Sequence, residues 1–365
     1  AKLTPAHRSG RFAELVCSNS LGSVEPTSGK GLLKEELRIL GSALLPIAEG
    51  SRVPAGKSLA VDREEFGRRV TEAVRSCPGI RVHEEEVTAI PRAPLVILAC
   101  GPLASDAIAS AIRDVLGDDG FYFYDAISPI VDAGTIDPGA AFVADRYGIG
   151  TGDYLNLPME RERYEAFLSA LLTAKTVALR AFEEPRFFEG CMPVEEIARR
   201  GPETLLFGPL RPVGLRNPRT GRIPHAVVQL RKENAAGTMY NLVGFQTRLT
   251  YPEQKRVFSL IPGLSSAGYF RYGSVHRNSF LDARRHLHPW MESRNRAGLF
   301  FAGQITGVEG YVESIASGLV AAVSAARIIS KPPLAWIVNI WTSSRVAAAA
   351  AWATVLGMSW NLRSR

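Results

Sequence analysis

The chain has 365 residues, of which 46% are hydrophobic and 22% charged, a composition typical of a soluble globular protein with one large domain or two ordinary ones. A formal net charge of +7 favours a polyanionic partner such as nucleic acid, and a solvated basic surface without a partner is the alternative. Four widely spaced cysteines without a CxxC pair argue against a zinc site and against a secreted disulfide scaffold, and the polar N-terminus argues against a signal peptide, so we predict a cytoplasmic protein without a metal.

Helical and strand patterns alternate along the chain, which predicts an α/β layer structure. The predicted helices cover residues 31–49, 62–75, 105–116, 159–182 and 311–329. The predicted strands cover residues 58–61, 80–90, 95–100, 121–130, 140–143, 225–231, 239–247 and 299–302. Asp62 with Glu65 is a helix-start signal, and the residues from Asn234 to Gly237 predict the turn of a β-hairpin.

A late stretch, residues 334–358, is strongly apolar but carries Arg345 near its middle. A central arginine is costly in a bilayer. We therefore predict a packed or poorly determined tail there and no membrane span.

The segment from Gly303 to Gly318 follows a short apolar strand and leads into a helix, with further glycines at Gly307 and Gly310. Glycines at such a turn let the backbone approach a ligand closely, and the helix N-terminus then offers free N–H groups. This layout is typical of a site for a flavin ring or a phosphate. Three ordinary turn glycines explain the same pattern equally well.

Two cysteines lie in settings that suit a reactive thiol. Cys17 stands among small polar residues, and Cys191 lies between Gly190 and Pro193, which predicts a tight loop. A loop thiol can be exposed and ionised, and the thiolate is the nucleophile. A lone cysteine is more often a quiet core residue, so on spacing alone both interpretations stay open.

Aromatic and basic residues alternate over residues 269–278, where His276 and Arg277 lie. Such planes can stack on bases, pterins or flavins, although a plain strand with a satisfied histidine is the simpler interpretation.

Long blocks of the sequence resemble the folate- and FAD-dependent tRNA uridine-5-methyltransferases, the TrmFO family, from about Thr4 to about Ile329. The blocks that carry the resemblance are "TPAH" at Thr4, "FAELVCSNSL" at Phe12, "GLLKEELR" at Gly31, "VPAGKSLAVDREEF" at Val53, "FYFYDAISPIV" at Phe121, "FEGCMPVEEIARRGPETLLFGPLRPVGL" at Phe188, "YGSVHRNSFL" at Tyr272 and "FFAGQITGVEGYVESIASGL" at Phe300. The resemblance implies an enzyme that takes a methylene unit from 5,10-methylenetetrahydrofolate, reduces it through FAD with NAD(P)H electrons, and forms 5-methyluridine in the tRNA T-loop.

The resemblance also implies roles for single residues. Cys191 and Cys17 match the family's two functional cysteines, with Cys191 as the nucleophile and Cys17 nearer the flavin. The residues implied to line the flavin are Gly303, Gln304, Gly307, Val308, Glu309 and Gly310, with Val87 near the adenosine. The candidates to hold the folate are His276 and Arg277. Those that could meet tRNA phosphates are Arg199, Arg200, Arg231 and Lys232.

The fold implied is a GidA-like, Rossmann-type FAD-binding domain with an inserted α+β domain. We expect FAD-binding parts over residues 1–125 and 291–330, an inserted substrate and tRNA domain over 126–290, and a divergent tail over 331–365. The family's opening βαβ unit with its G-x-G-x-x-G turn, which grips the FAD pyrophosphate, has no match in this sequence, so we expect weak FAD retention. Leu157 and Cys100 are further departures from the family pattern.

Three other functions remain open at this level. They are a GidA-like modifier of wobble uridine, a tRNA-binding flavoprotein remnant without catalysis, and a generic flavin oxidoreductase.

Overall fold

A computed structural model of the chain describes residues 7–117, 121–148, 152–178, 187 and 191–330. The helices in these ranges are α1 (Gly29–Ile39), α2 (Leu44–Gly50), α3 (Arg63–Arg75), α4 (Asp106–Leu116), α5 (Arg161–Leu172), α6 (Val194–Arg199), α7 (Thr204–Phe207), α8 (Tyr251–Phe258), α9 (Ala283–His286) and α10 (Tyr311–Ser330). The strands are β1 (Ser20–Ser23), β2 (Arg52–Val53), β3 (Ser58–Val61), β4 (Val96–Leu98), β5 (Phe121–Ile127), β6 (Ile130–Asp132), β7 (Phe142–Val143), β8 (Tyr154–Met159), β9 (Ala226–Lys232), β10 (Met239–Leu242), β11 (Tyr269–Arg271), β12 (Ser274–Phe280) and β13 (Leu299–Phe301).

Residues 7–117 and 281–330 form what we call the first lobe. Its helices are amphipathic: in α3, Phe66, Val70 and Val74 recur at four-residue spacing and are buried, while Asp62 caps the helix by accepting from the backbone N–H groups of Glu64 and Glu65. Strands β4 and β13 pair in parallel and are buried on both faces. The N-terminal half of α10 packs with α1 and α3 in a single apolar core.

Residues 130–271 form the second lobe, which has a core of its own. Its six-stranded sheet has the order β11-β6-β10-β9-β8-β7, and every neighbouring pair is antiparallel. Helices α5, α6 and α8 bury apolar residues against one face, where Phe245 contacts both Phe167 and Phe258. The predicted hairpin between β9 and β10 is confirmed: the Asn234 side chain accepts from the Thr238 N–H, and Gly237 has φ 67°.

A long ribbon joins the two lobes. Strands β5 and β12 pair antiparallel over seven residues each, from Phe121 opposite Phe280 to Ile127 opposite Ser274. In this register Asp125 lies opposite His276, so their side chains emerge on the same face. The ribbon thereby carries polar residues from both strands to one place between the lobes.

Several predicted elements are wrong in extent. The helix over 31–49 is split into α1 and α2 around Gly41, which has φ 72°, and the strand over 121–130 is split into β5 and β6. The stretch from 80 to 90 forms no strand, because it pairs with no other strand among the described residues. The helix predicted from 159 begins at Arg161 and ends at Leu172, and residues 179–182 lie outside the described part.

Helix α10 is long and apolar enough to cross a membrane by length and composition, and it is the one such helix in the described ranges. Its buried residues Val312, Ile315 and Leu319 pack in the first lobe's core. The core helix of a globular protein can have the same length and apolar composition as a membrane-spanning helix. The absence of a membrane partner stays a prediction. The domain limits also stay a prediction, and the tail over 331–365 lies outside the described residues.

Candidate active site

A cavity of about 410 Å³ opens between the first lobe and the β5–β12 ribbon. This volume falls within the range of small-molecule pockets, roughly 300–1,000 Å³. The wall is assembled from five distant parts of the chain, which are residues 10–17, 85–87, 98–105, the ribbon, and the turn and helix from 303 to 315. The cavity is therefore a product of the tertiary fold.

Cys17 lies on one side of this cavity, in a loop that is held through its backbone. The Tyr311 hydroxyl accepts from the Cys17 N–H at 3.1 Å, and Arg63 donates to the Cys17 carbonyl at 3.2 Å. Arg271 donates to the Val16 carbonyl at 3.1 Å, and Arg63 also donates to the Leu15 carbonyl. Because these donors and acceptors come from α3, α10 and β11, the loop is fixed by elements of both lobes.

Arg231 holds the next two residues of the same loop. Its guanidinium donates to the Ser18 hydroxyl at 2.9 Å and to the Asn19 side-chain oxygen at 2.9 Å, and the residue is only 7% exposed. The prediction that Arg231 meets tRNA phosphates is therefore wrong, since its donors are used inside the protein. Arg199 is ion-paired with Glu196 at 2.7 Å, and the roles of Arg199, Arg200 and Lys232 at tRNA stay predictions.

Cys191 lies three residues before α6, which is docked firmly on the second lobe. The Val194 N–H donates to the Gln246 carbonyl at 2.7 Å, and the buried Glu195 carboxylate accepts from the Thr247 hydroxyl and the Arg248 N–H, both at 2.8 Å. Gly190, part of the predicted loop, lies outside the described residues. The position of Cys191 thus depends on the second lobe, whereas that of Cys17 depends on both lobes.

The structure brings the two predicted catalytic thiols together. The Sγ atoms of Cys17 and Cys191 are 3.6 Å apart, although the residues are 174 positions apart in sequence. The hydrogen bond with Cys17 and burial raise the pKa of the Cys191 thiol well above its usual range, and the nearby Asp125 charge adds to the effect. Cys191 is half-buried and its raised pKa favours the protonated thiol, in contrast to the exposed, ionised thiol that its loop suggested.

Asp125, on the ribbon, is the residue of this site that sequence reasoning missed. Its carboxylate and the two sulfur atoms lie within 4.8 Å of one another, and Asn278 donates to one carboxylate oxygen at 3.4 Å. Burial raises the pKa of Asp125 to about 6. An acid inside the otherwise apolar and aromatic run of residues 121–130 was the available signal.

His276 and Val87 both line the cavity, and their roles at the folate and at the adenosine stay predictions. Burial, with the charges of Arg271 and His7, lowers the pKa of His276 to about 4, so its ring is neutral and its Nε2 lies 3.3 Å from the Ser274 hydroxyl. The side chain of Arg277 falls outside the described part of the structure.

The glycine turn contributes Gly303 and Gln304 to the cavity wall. Gly303 has φ 77°, and no atom lies within 4 Å of the place that a Cβ would occupy; Gly101, which also lines the cavity, is equally open with φ 66°. Two bare backbone surfaces and the first turn of α10 suit a flat, electron-rich ring, so these residues fit a flavin. Gly307, Val308, Glu309 and Gly310 form the turn that leads into α10 and are not among the lining residues, so their contact with the flavin stays a prediction.

Comparisons with known proteins agree with the family resemblance seen in the sequence. The family model described as "Glucose inhibited division protein A" matches residues 2–333. The protein named "Methylenetetrahydrofolate--tRNA-(uracil-5-)-methyltransferase TrmFO" from Sulfurihydrogenibium sp. (strain YO3AOP1) is 52% identical over 328 residues, which cover 90% of this chain and 75% of the relative. The protein of the same name from Pelotomaculum thermopropionicum is 56% identical over 334 residues, covering 91% and 76%.

The structure of Aquifex aeolicus GidA in its form I crystal matches with a TM-score of 0.65 at 15% identity. This match covers 90% of the present chain and 64% of the GidA chain. At this identity the likeness concerns the fold alone, and it confirms the predicted GidA-like α/β fold.

Proposed function

Because the chain belongs to the glucose inhibited division protein A (GidA) family and, within it, to the TrmFO family, we propose that it methylates C5 of a uracil in tRNA with a one-carbon unit from methylenetetrahydrofolate. The observation that carries the proposal is the approach of the Cys17 and Cys191 sulfur atoms to 3.6 Å at a cavity that fits a flavin. The product would be 5-methyluridine in the T-loop.

The proposed reaction needs a sulfur nucleophile, and the two thiols can supply it. C5 of uracil is a poor nucleophile, and addition of a sulfur atom at C6 converts the ring into an enolate that attacks an electrophilic carbon. We assign this addition to Cys191, which lies three residues before α6, a helix docked on the second lobe. We place Cys17 beside it as the residue nearer the flavin. When bound, FAD would supply the electrons that turn the transferred unit into a methyl group.

The remaining partners follow from the same proposal. NAD(P)H would supply the electrons to FAD, His276 and Arg277 would hold the folate, and tRNA would be drawn by the net charge of +7. A cytoplasmic setting, where free thiols stay reduced, fits an active pair of cysteines.

The test is a direct assay of the full chain with added FAD, NAD(P)H, methylenetetrahydrofolate and unmodified tRNA. We expect 5-methyluridine, measured by mass spectrometry of the digested nucleosides. Cys191→Ser should lower the rate at least about 1,000-fold, because a catalytic nucleophile is removed. Cys77→Ser is the matched control, since Cys77 is half-buried like Cys191 but is not part of the cluster of Cys17, Asp125 and Cys191. An undiminished rate in Cys191→Ser would exclude this assignment of the nucleophile.

A further inference from the structure

Asp125 is a buried acid whose carboxylate is only partly hydrogen-bonded by its surroundings. The residue is 8% exposed, and its Oδ1 atom is buried without a hydrogen-bond partner among the described residues. A buried polar atom without a partner costs free energy and is rare in folded proteins, so it calls for an explanation. The residue lines the cavity, which suggests that its explanation lies in what happens there.

The arrangement around Asp125 points to the thiol pair. Two residues of strand β12 lie next to the carboxylate: His276 is opposite Asp125 in register, and the Asn278 side chain donates to Oδ2. The sulfur atoms of Cys17 and Cys191 lie within 4.8 Å of a carboxylate oxygen. An acceptor oxygen is thus kept open beside the sulfur that would add to uracil.

The nucleophile needs such an acceptor. A thiol that is already ionised can attack directly, but the pKa of Cys191 is raised by its bond with Cys17, by burial and by the neighbouring negative charge. Its proton must leave while the sulfur attacks, and a base within reach of that proton accelerates this type of step.

We propose that the Asp125 carboxylate is the general base that takes the proton of the Cys191 thiol as its sulfur bonds to C6 of the target uracil. This role rests on the methyl transfer proposed above. In this step the S–H bond breaks and the S–C6 bond forms. The proton moves to Asp125, and the electron pair of the C5–C6 double bond moves into the enolate. After methyl transfer the C5–H bond breaks, its proton passes to water, and its electron pair re-forms the C5–C6 double bond as the S–C6 bond breaks. The leaving sulfur then takes its proton back from Asp125.

The acid is suited to the task by its environment. Burial raises the pKa of Asp125 to about 6, so it is ionised near neutral pH but holds a proton better than an exposed aspartate does. The titratable and charged groups that face this cluster from the surrounding elements are Cys17, Arg63, Cys191, Arg271, His276, Glu309 and Tyr311. Of these, His276 is neutral near pH 7, and the Glu309 charge raises the pKa of Asp125 further.

The experiment uses Asp125→Asn in the full chain, with two readouts. We expect kcat for 5-methyluridine formation to fall by about 10²- to 10⁴-fold, the usual contribution of a general base. We expect the circular dichroism spectrum to match that of the unmodified chain, because the amide has nearly the shape of the carboxylate that it replaces. A purely structural defect would change both readouts.

Two further variants sharpen the test. Asp125→Glu keeps the carboxylate and should recover part of the lost rate. Asp114→Asn makes the same chemical change on the exposed face of α4 and should alter neither readout. In the unmodified chain, kcat should decline on the acid side with an apparent pKa near 6, and this decline should be absent from the residual activity of Asp125→Asn.

The outcomes separate the two proposals. If the unmodified chain makes no 5-methyluridine, the proposed function fails and the role of Asp125 falls with it. If the unmodified chain is active and Asp125→Asn retains its rate, only the role of Asp125 is overturned. If Asp125→Asn does not fold, the pH profile of the unmodified chain and of Asp125→Glu decides, and a flat profile below pH 7 overturns the proposal.

Discussion

Single residues in this site combine burial with charge. Asp125 is 8% exposed and Arg231 is 7% exposed, yet both carry groups that water would solvate strongly. Arg231 recovers this cost through two hydrogen bonds to the Cys17 loop, whereas one oxygen of Asp125 recovers nothing from the protein. The free energy of unfolding is therefore lowered by Asp125, at the place where we locate the chemistry.

The pH dependence of stability should report this cost. The folded-state pKa of Asp125 is about 6 against an ordinary value of 3.8, so the folded chain holds the proton more tightly than the unfolded chain does. The stabilisation by this group is complete below about pH 4 and is lost as the pH rises through 6. Asp125→Asn carries no charge to lose.

We therefore expect Asp125→Asn to gain stability over the unmodified chain between pH 4.5 and 7.5, by at most about 3 kcal/mol. Urea unfolding at the two pH values measures the difference, with Asp114→Asn as the exposed control. If the free energy of unfolding changed with pH by the same amount in Asp125→Asn and in the unmodified chain, burial of the Asp125 charge would not destabilise the fold.

Sequence reasoning found the cysteines but not their charged neighbours, and the physical reason is specific. Cys17, Cys191 and Gly303 lie in segments whose composition or family resemblance marks them. Arg231 lies in β9, which is covered on both faces, so the alternation that tells a buried side chain from an exposed one is lost there. Asp125 acquires its meaning only from the register of β5 with β12, which one sequence does not reveal.

At the scale of elements, the two thiols are positioned by different parts of the structure. The Cys17 loop is tied by backbone hydrogen bonds to Arg63, Arg271 and Tyr311, and the segment of Cys191 is tied by α6. The two supports bring the sulfur atoms to 3.6 Å, against about 2.05 Å in a disulfide. A small local movement is enough to close that gap.

Mild oxidation should therefore cross-link these two elements. With diamide, which accepts the two electrons and two protons released, we expect a Cys17–Cys191 disulfide and loss of methyl transfer, both reversed by dithiothreitol. The raised pKa of Cys191 should make the reaction faster at pH 8.5 than at pH 7.

Peptide mapping without reduction identifies the link, and Cys17→Ser should abolish it. Cys100 should remain a thiol, because burial raises its pKa to about 11. A cross-link that contains Cys77 or Cys100 instead would contradict the expected pairing.

The elements predicted best were those whose signals are local. Asp62 caps α3 with its side chain, as expected from a local signal. Helix α4 also begins after Ser105, as expected, although the Ser105 side chain makes no capping hydrogen bond. The strand predicted over 80–90 was wrong because a strand requires a partner, and the alternating apolar residues there pack against the first lobe instead.

At the scale of the whole molecule, a buried ion pair joins the lobes. Arg63 at the start of α3 contacts Glu233, just after β9, at 2.6 Å, and their side chains are 15% and 2% exposed. Arg63 also donates to the loop of Cys17, so lobe docking and site geometry share one guanidinium. Breaking one side of a buried pair leaves the other charge without compensation.

We expect Arg63→Met to lower the free energy of unfolding by about 3–5 kcal/mol, and the double variant Arg63→Met, Glu233→Leu to recover part of that loss. Arg75→Met is the control, because Arg75 pairs with Glu84 on the surface and should cost less than about 1 kcal/mol. Urea unfolding of the four proteins measures the coupling. A cost for Arg63→Met as small as that of the control would exclude the pair as a link between the lobes.

The distance between the two sulfur atoms also has a consequence for the order of folding. Each lobe has its own apolar core and can collapse separately, but Cys17 and Cys191 meet only after the lobes have docked. During refolding, the moment at which the pair becomes cross-linkable therefore marks the end of assembly. Recovery of helical signal should precede it, and the delay between the two is the time that the chain needs to bring its halves together.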